Sequence, residues 1–172
     1  MGDHALNVAA VNNQPHHKHI LPMRTSFQRT LAALLAAVLT AVTAHATPEG
    51  WTDDLDKALD QAKADKKLVL LDFTGSDWCS WCIKMDKEVF SQKEFKDYAA
   101  KNLVLVEVDF PQKKELVPVT KVQNDKLKAK HEVNGFPTFV VLDGEGNELA
   151  KWPGYQAGGP SALIAKLNAL KK

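Results

Sequence analysis

Apolar residues recur along the chain in two rhythms, helical and strand-like, and their alternation predicts an α/β fold. From Trp51 to Lys67, Leu55, Ala58, Leu59 and Ala62 share one helical face, with Thr52 and Asp53 available as caps and first-turn acids. A surface helix is expected there. Lys67-Leu-Val-Leu-Leu-Asp-Phe73 is nearly continuous in apolar residues, the pattern of a strand covered on both faces, and Gly75 and Ser76 end it. Cys79 to Phe90 returns to helical spacing. Ser91, with Glu94 three residues on, reads as a capping box for a further helix through Phe95, Tyr98 and Ala99. Asn102-Leu-Val-Leu-Val-Glu-Val-Asp-Phe110 is a second buried strand, stopped by Pro111. With a helix between them, the two strands should run parallel through a right-handed crossover.

Residues 111–134 are rich in lysine and glutamine, and their later half, through Leu127 and Ala129, is helical in pattern. Phe136-Pro-Thr-Phe-Val-Val-Leu142 and Asn147-Glu-Leu-Ala-Lys-Trp152 flank Asp143-Gly-Glu-Gly146, a hairpin signal. Leu163, Ile164, Leu167 and Leu170 stripe a last helix. The expected fold is a single α/β domain: a mixed sheet, a parallel pair plus an antiparallel hairpin, with helices on both faces.

The first 46 residues do not belong to this pattern. Arg24 and Arg29 precede the apolar run Leu31–Leu39, which continues to Val42 and closes on Ala44-His45-Ala46. Residues 23–46 read as a signal peptide cut after Ala46, too short in its apolar core for a spanning helix. Residues 1–22 form a polar leader, or a start assigned too early with Met23 as the true first residue. Residues 47–172 are the working domain, expected in a periplasm or outside the cell, where disulfides persist. Five of six histidines (His4, His16, His17, His19 and His45) precede the cut, leaving His131. The whole chain carries 22 Lys plus Arg against 21 Asp plus Glu. That balance gives no footprint for nucleic acid.

Only two cysteines are present, in Cys79-Ser-Trp-Cys82, directly after a buried strand and at a helix start. At that position unpaired backbone N–H groups and the helix dipole favour a thiolate on Cys79, and Cys82, one turn on, can reach it. A structural disulfide would close too short a loop to stabilise much. A zinc site would need two more ligands, with His131 and carboxylates the only candidates. Two reduced core thiols fit poorly with export. Redox exchange is the favoured reading, with no cofactor and no metal.

Leu71-Asp-Phe73, Trp78-Cys-Ser-Trp-Cys82 and Gly135-Phe-Pro-Thr138 together resemble the thioredoxin superfamily, over nearly all of Trp51 to Leu170. The block Phe73-Thr-Gly-Ser-Asp-Trp-Cys-Ser-Trp-Cys82, with Glu88-Val-Phe90 after it, resembles exported bacterial thioredoxin-like proteins more than cytosolic thioredoxin. The resemblance implies that Cys79 attacks and Cys82 resolves, and that Pro137 is the family's cis proline. It makes Pro137, with Phe136 before it, substrate-facing and Trp78 a shield over the thiols at the substrate-binding face; Trp81, unusual between the cysteines, offers an apolar docking surface at the rim, with plain packing the alternative. It also makes Asp72 the buried aspartate that moves the proton of Cys82; a hydrogen-bonded structural aspartate is the alternative.

The sequence departs from thioredoxin in several places. Asp72 lies seven residues before Cys79 instead of six, and Glu107 occupies the region where thioredoxin carries a lysine. Asp77 is near enough to oppose a Cys79 thiolate, with Lys84 as a mild counterweight. The Ser80-Trp81 dipeptide matches neither thioredoxin, the isomerases nor the strong periplasmic oxidant, whose potentials span roughly −270 to −120 mV. Without a histidine between the cysteines and with Asp72 retained, a reductase is favoured over an oxidant. The expected partners are proteins bearing disulfides or dithiols and, by family analogy, a membrane thiol-disulfide donor; a monomer is expected. The alternatives are a disulfide isomerase, or a chaperone or partner-binding module using the long 111–134 segment.

Overall fold

The computed structural model describes residues 47–171, and the leader and signal segments lie outside them. Five strands make one mixed sheet: β1 (Trp51–Thr52), β2 (Leu68–Thr74), β3 (Leu103–Asp109), β4 (Thr138–Leu142) and β5 (Glu148–Pro153). Their order is β1-β3-β2-β4-β5. β2 and β3 run parallel, in register from Leu68 opposite Leu103 to Thr74 opposite Asp109. β4 lies antiparallel on the other side of β2, and β5 antiparallel to β4. The helices are α1 (Leu55–Asp65), α2 (Ser80–Met85), α3 (Lys93–Asn102), α4 (Pro118–Lys130) and α5 (Gly159–Asn168). No helix among the described residues is long and apolar enough to cross a membrane.

Alternation along β2 and β3 divides the core. Val69, Leu71, Phe73, Val106 and Val108 pack with Leu55, Ala58 and Ala62 of α1 and Leu127 of α4. Leu70, Leu105, Phe139 and Val141 pack on the opposite face with Met85, Phe95, Leu163 and Leu167. Asp72 and Glu107 follow Leu70 and Leu105 at a spacing of two, so both project from this second face, toward α2.

Three local expectations are corrected. Trp51 and Thr52 are not helical; they pair with Leu105 and Val106 as an edge strand, and Trp51 meets Phe90 edge-on at 5.2 Å. α1 therefore starts at Leu55, capped by Asp54, whose carboxylate accepts from the Lys57 N–H at 3.1 Å. Beyond Met85 the helix widens into a π-helical turn over Asp86–Phe90. Ser91 caps nothing: its hydroxyl is engaged by the Asp86 carboxylate, and α3 begins after Gln92 without a side-chain cap.

Candidate active site

β2 ends at Thr74, and the chain turns at Gly75, whose carbonyl accepts from the Cys79 N–H at 2.8 Å and the Trp78 N–H at 3.2 Å. A Cβ at Gly75 would lie 2.5 Å from the Trp78 indole, so this close approach requires glycine. The turn delivers Cys79 to the N-cap of α2. There its Sγ accepts from the Cys82 N–H at 3.2 Å, and the two cysteines are joined in a disulfide with their Cα atoms 5.2 Å apart. Donation by a helix N-terminus to this sulfur is the interaction that lowers a thiol's pKa once the disulfide is opened.

The two cysteines have different surroundings although both are buried, at 7% and 5% exposure. Cys79 sits between Trp78 and Trp81, which are 40% and 54% exposed. Cys82 instead lines a cavity of about 320 Å³ whose buried walls include Asp72 and Glu107 and whose exposed rim includes Glu49, Asp86 and Lys96. Asp72 Oδ1 is buried without a hydrogen-bond partner. Burial first, then the charges of Glu107, Asp109 and Asp86, push the Asp72 carboxyl well above its ordinary range. Burial and Asp109 raise Glu107 to about 7, with Lys114 opposing.

The loop before Cys79 is clasped by the segment that follows β3. Ser76 donates to Asp109 through its N–H at 2.9 Å and its hydroxyl at 2.6 Å, and Lys114 approaches the same carboxylate at 3.3 Å. Trp78 Nε1 donates to the Phe110 carbonyl at 2.8 Å. Asp77, expected to oppose a Cys79 thiolate, accepts from the Gln112 and Lys113 N–H groups at 2.9 and 2.8 Å. These bonds hold its carboxyl below the usual range.

The Phe136–Pro137 bond is cis, as the resemblance implied, and Pro137 is buried at the entry to β4. Phe136 is fixed on two sides: Trp78 meets it edge-on at 6.0 Å, and Phe110 stacks on it at 5.1 Å. Lys128 Nζ lies 5.4 Å from both phenylalanine rings. Trp81 packs 5.6 Å from Tyr155, with Lys84 Nζ over both rings at 5.1 and 4.9 Å. Lys84 thus packs on the aromatic rim. The Tyr155 hydroxyl donates to Glu88, which pushes its pKa up.

Residues 55–171 match the family described as "Thioredoxin-like domain". The chain belongs to this family. The thioredoxin-like chain is 44% identical over 116 residues to the Chlamydia pneumoniae protein named "Disulfide bond reductase DsbH", covering 67% of this chain and 69% of that one. It is 36% identical over 97 residues to the Cronobacter sakazakii "Thiol:disulfide interchange protein DsbD", covering 56% of this chain but 15% of that much longer protein. Among solved structures, "DsbH Oxidoreductase" superposes with a TM-score of 0.64 at 36% identity, over 79% of this chain and 96% of that one. A Thermus thermophilus thioredoxin, 20% identical with a TM-score of 0.53 over 70% of this chain and 85% of that one, shares the fold. The thioredoxin-like chain is thus a homologue of disulfide oxidoreductases carrying a CxxC-type pair.

Three residues of this site were missed or undervalued in the sequence. Glu107 registered only as a departure from a lysine, although the apolar-then-acid pattern of Leu103–Glu107 duplicates that of Leu68–Asp72. Gly75 announces only a strand stop in the sequence, and Tyr155 carries no signal.

Proposed function

We propose that this chain is an exported thiol-disulfide oxidoreductase, periplasmic or secreted, acting as a reductase of protein disulfides. In this reading the Cys79 thiolate attacks a substrate disulfide; a Cys79–substrate mixed disulfide forms and one substrate thiolate leaves. Cys82, losing its proton to Asp72, then attacks Cys79 Sγ. The Cys79–Cys82 disulfide closes and the second substrate thiolate departs, so two electrons pass to the substrate. The observation that carries the reading is the asymmetry of the pair: Cys79 at the helix N-cap between exposed tryptophans, Cys82 facing the carboxyl-lined cavity. The orphaned Asp72 Oδ1 argues against a merely hydrogen-bonded aspartate.

The reductive direction draws support from the name of the 44% identical relative. It also draws on the buried acids beside Cys82, which disfavour thiolates and so favour the disulfide form of this protein. Phe136, Pro137, Trp78 and Trp81 form the surface that a protein substrate would meet. Re-reduction falls to an upstream membrane dithiol donor, and the working unit is a monomer.

Addition of the protein should accelerate insulin reduction by dithiothreitol. Cys79→Ala should abolish the acceleration, and Cys82→Ser should accumulate mixed disulfides with clients. Undiminished acceleration by Cys79→Ala would refute the assignment.

A further inference from the structure

The cavity behind Cys82 holds two acids where one would suffice to move a proton. Asp72 and Glu107 are direct register partners on the parallel strands β2 and β3. Both are buried, project from the same sheet face, and line the cavity that Cys82 also lines. Neighbouring strands lie about 4.7–4.9 Å apart, so the two side chains leave the sheet side by side. Among the described residues neither acid is in an ion pair; the nearby Lys114 is taken by Asp109. The other charged groups around the pair are Asp53 and Glu49 ahead of α1, Asp86 after α2, Lys96 on α3 and Asp109 on β3. The surroundings are therefore predominantly acidic.

Resting on the disulfide-exchange reading, we propose that Glu107 is a positioning residue acting through Asp72. Its charge holds a proton on Asp72 for delivery to Cys82 Sγ when the Cys79–Cys82 disulfide is opened.

In that step a donor thiolate attacks Cys79 Sγ. The donor–Cys79 bond forms, the Cys79–Cys82 bond breaks, and Cys82 leaves with the electron pair as a thiolate. Asp72 transfers its proton to that sulfur and becomes a carboxylate; the donor's second thiol then releases Cys79 and leaves the donor oxidised. A carboxyl group beside a like charge keeps its proton to higher pH. Glu107 titrates near 7, and once ionised it sets a carboxylate across the ladder from Asp72, whose own carboxyl is held well above its ordinary range. The cavity's exposed rim at Glu49 and Lys96 gives the pair a route to exchange protons with water. The second acid thus suits the site to being recharged with electrons.

The test is the pH dependence of reduction of the full-chain disulfide by dithiothreitol, normalised to the dithiothreitol thiolate and followed by tryptophan fluorescence. Wild type should show an alkaline limb where Asp72 loses its proton. Glu107→Gln should move that limb to lower pH, leaving the rate about three- to tenfold below wild type on the limb, as for a shift of up to one pKa unit. Glu107→Asp, which keeps the charge, should restore the wild-type limb, and Asp72→Asn should lack it.

Coincident limbs for wild type and Glu107→Gln overturn the proposal. So does a Glu107→Gln effect that persists in the Asp72→Asn background, because Glu107 would then act without Asp72. Carboxyl carbon NMR of the wild-type protein tests it without any variant: Asp72 releasing its proton before Glu107 overturns it. Insulin reduction separates the two readings, since coincident limbs alongside Cys79-dependent turnover remove only the role of Glu107.

Discussion

The strands β2 and β3 repeat one pattern, four apolar residues and then an acid, yet their two ends do opposite things. Val69–Leu71 and Leu103–Val106 lie buried in the core, packed by helices on both faces. Asp72 and Glu107, one residue further on, are also buried but border a cavity that opens past Cys82 to solvent. Burial stabilises the first half through removal of apolar surface from water, and it destabilises the charged forms of the second. The same sheet thus supplies both the stability of the fold and the strained electrostatics of its site.

Substitutions at the two ends should separate these contributions. The largest effect belongs to the redox end: Cys79→Ser should reduce turnover of insulin to background while its thermal midpoint stays within a few degrees of that of the wild-type dithiol form. Phe73→Ala, which empties a fully buried site, should cost about 3–5 kcal/mol in denaturant unfolding, and the folded fraction should retain disulfide exchange. Loss of exchange in that folded fraction would break the separation.

A smaller effect arises from Glu107, whose folded value of about 7 lies above the ordinary 4.5. A raised acid favours the folded state while protonated, so its contribution is complete below about pH 4.5 and is lost as pH rises through 7. Wild-type stability should therefore fall from pH 5 to pH 8 by at most about 3 kcal/mol from this group, and Glu107→Gln should flatten the slope. The smallest effect is expected of Lys114→Ala. Removing that opposing cation should move the Glu107 titration to higher pH, readable by carboxyl NMR, with little change in thermal midpoint.

Local patterning made much of this molecule legible. The apolar runs, the Asp143-Gly hairpin and the thiol pair after a strand each declare themselves within a dozen residues. What escaped depends on contacts distant in sequence. β1 is two residues long and exists because the edge of β3 receives it. Asp77 sits beside Cys79 in the chain, but its bonds reach 35 and 36 residues away, a loop clasp that proximity in sequence does not announce. Glu107 gains its meaning from register alone, since the pairing with Asp72 is a property of two strands. The sequence marked Asp72 as anomalous because one acid in an apolar run is visible; that two such acids meet is not.

The aromatic array around Phe136 has a consequence for binding. With Trp78 against one side, Phe110 on the other and a lysine over the rings, Phe136 has few rotamers left in the unliganded protein, and the backbone leading into Pro137 is held with it. In the proposed mode, an extended polypeptide arriving at this edge meets a surface whose conformational freedom was already lost at folding. The ordering cost of the encounter then falls mainly on the arriving chain, which favours clients that are themselves unfolded or carry their disulfide on a rigid, protruding loop.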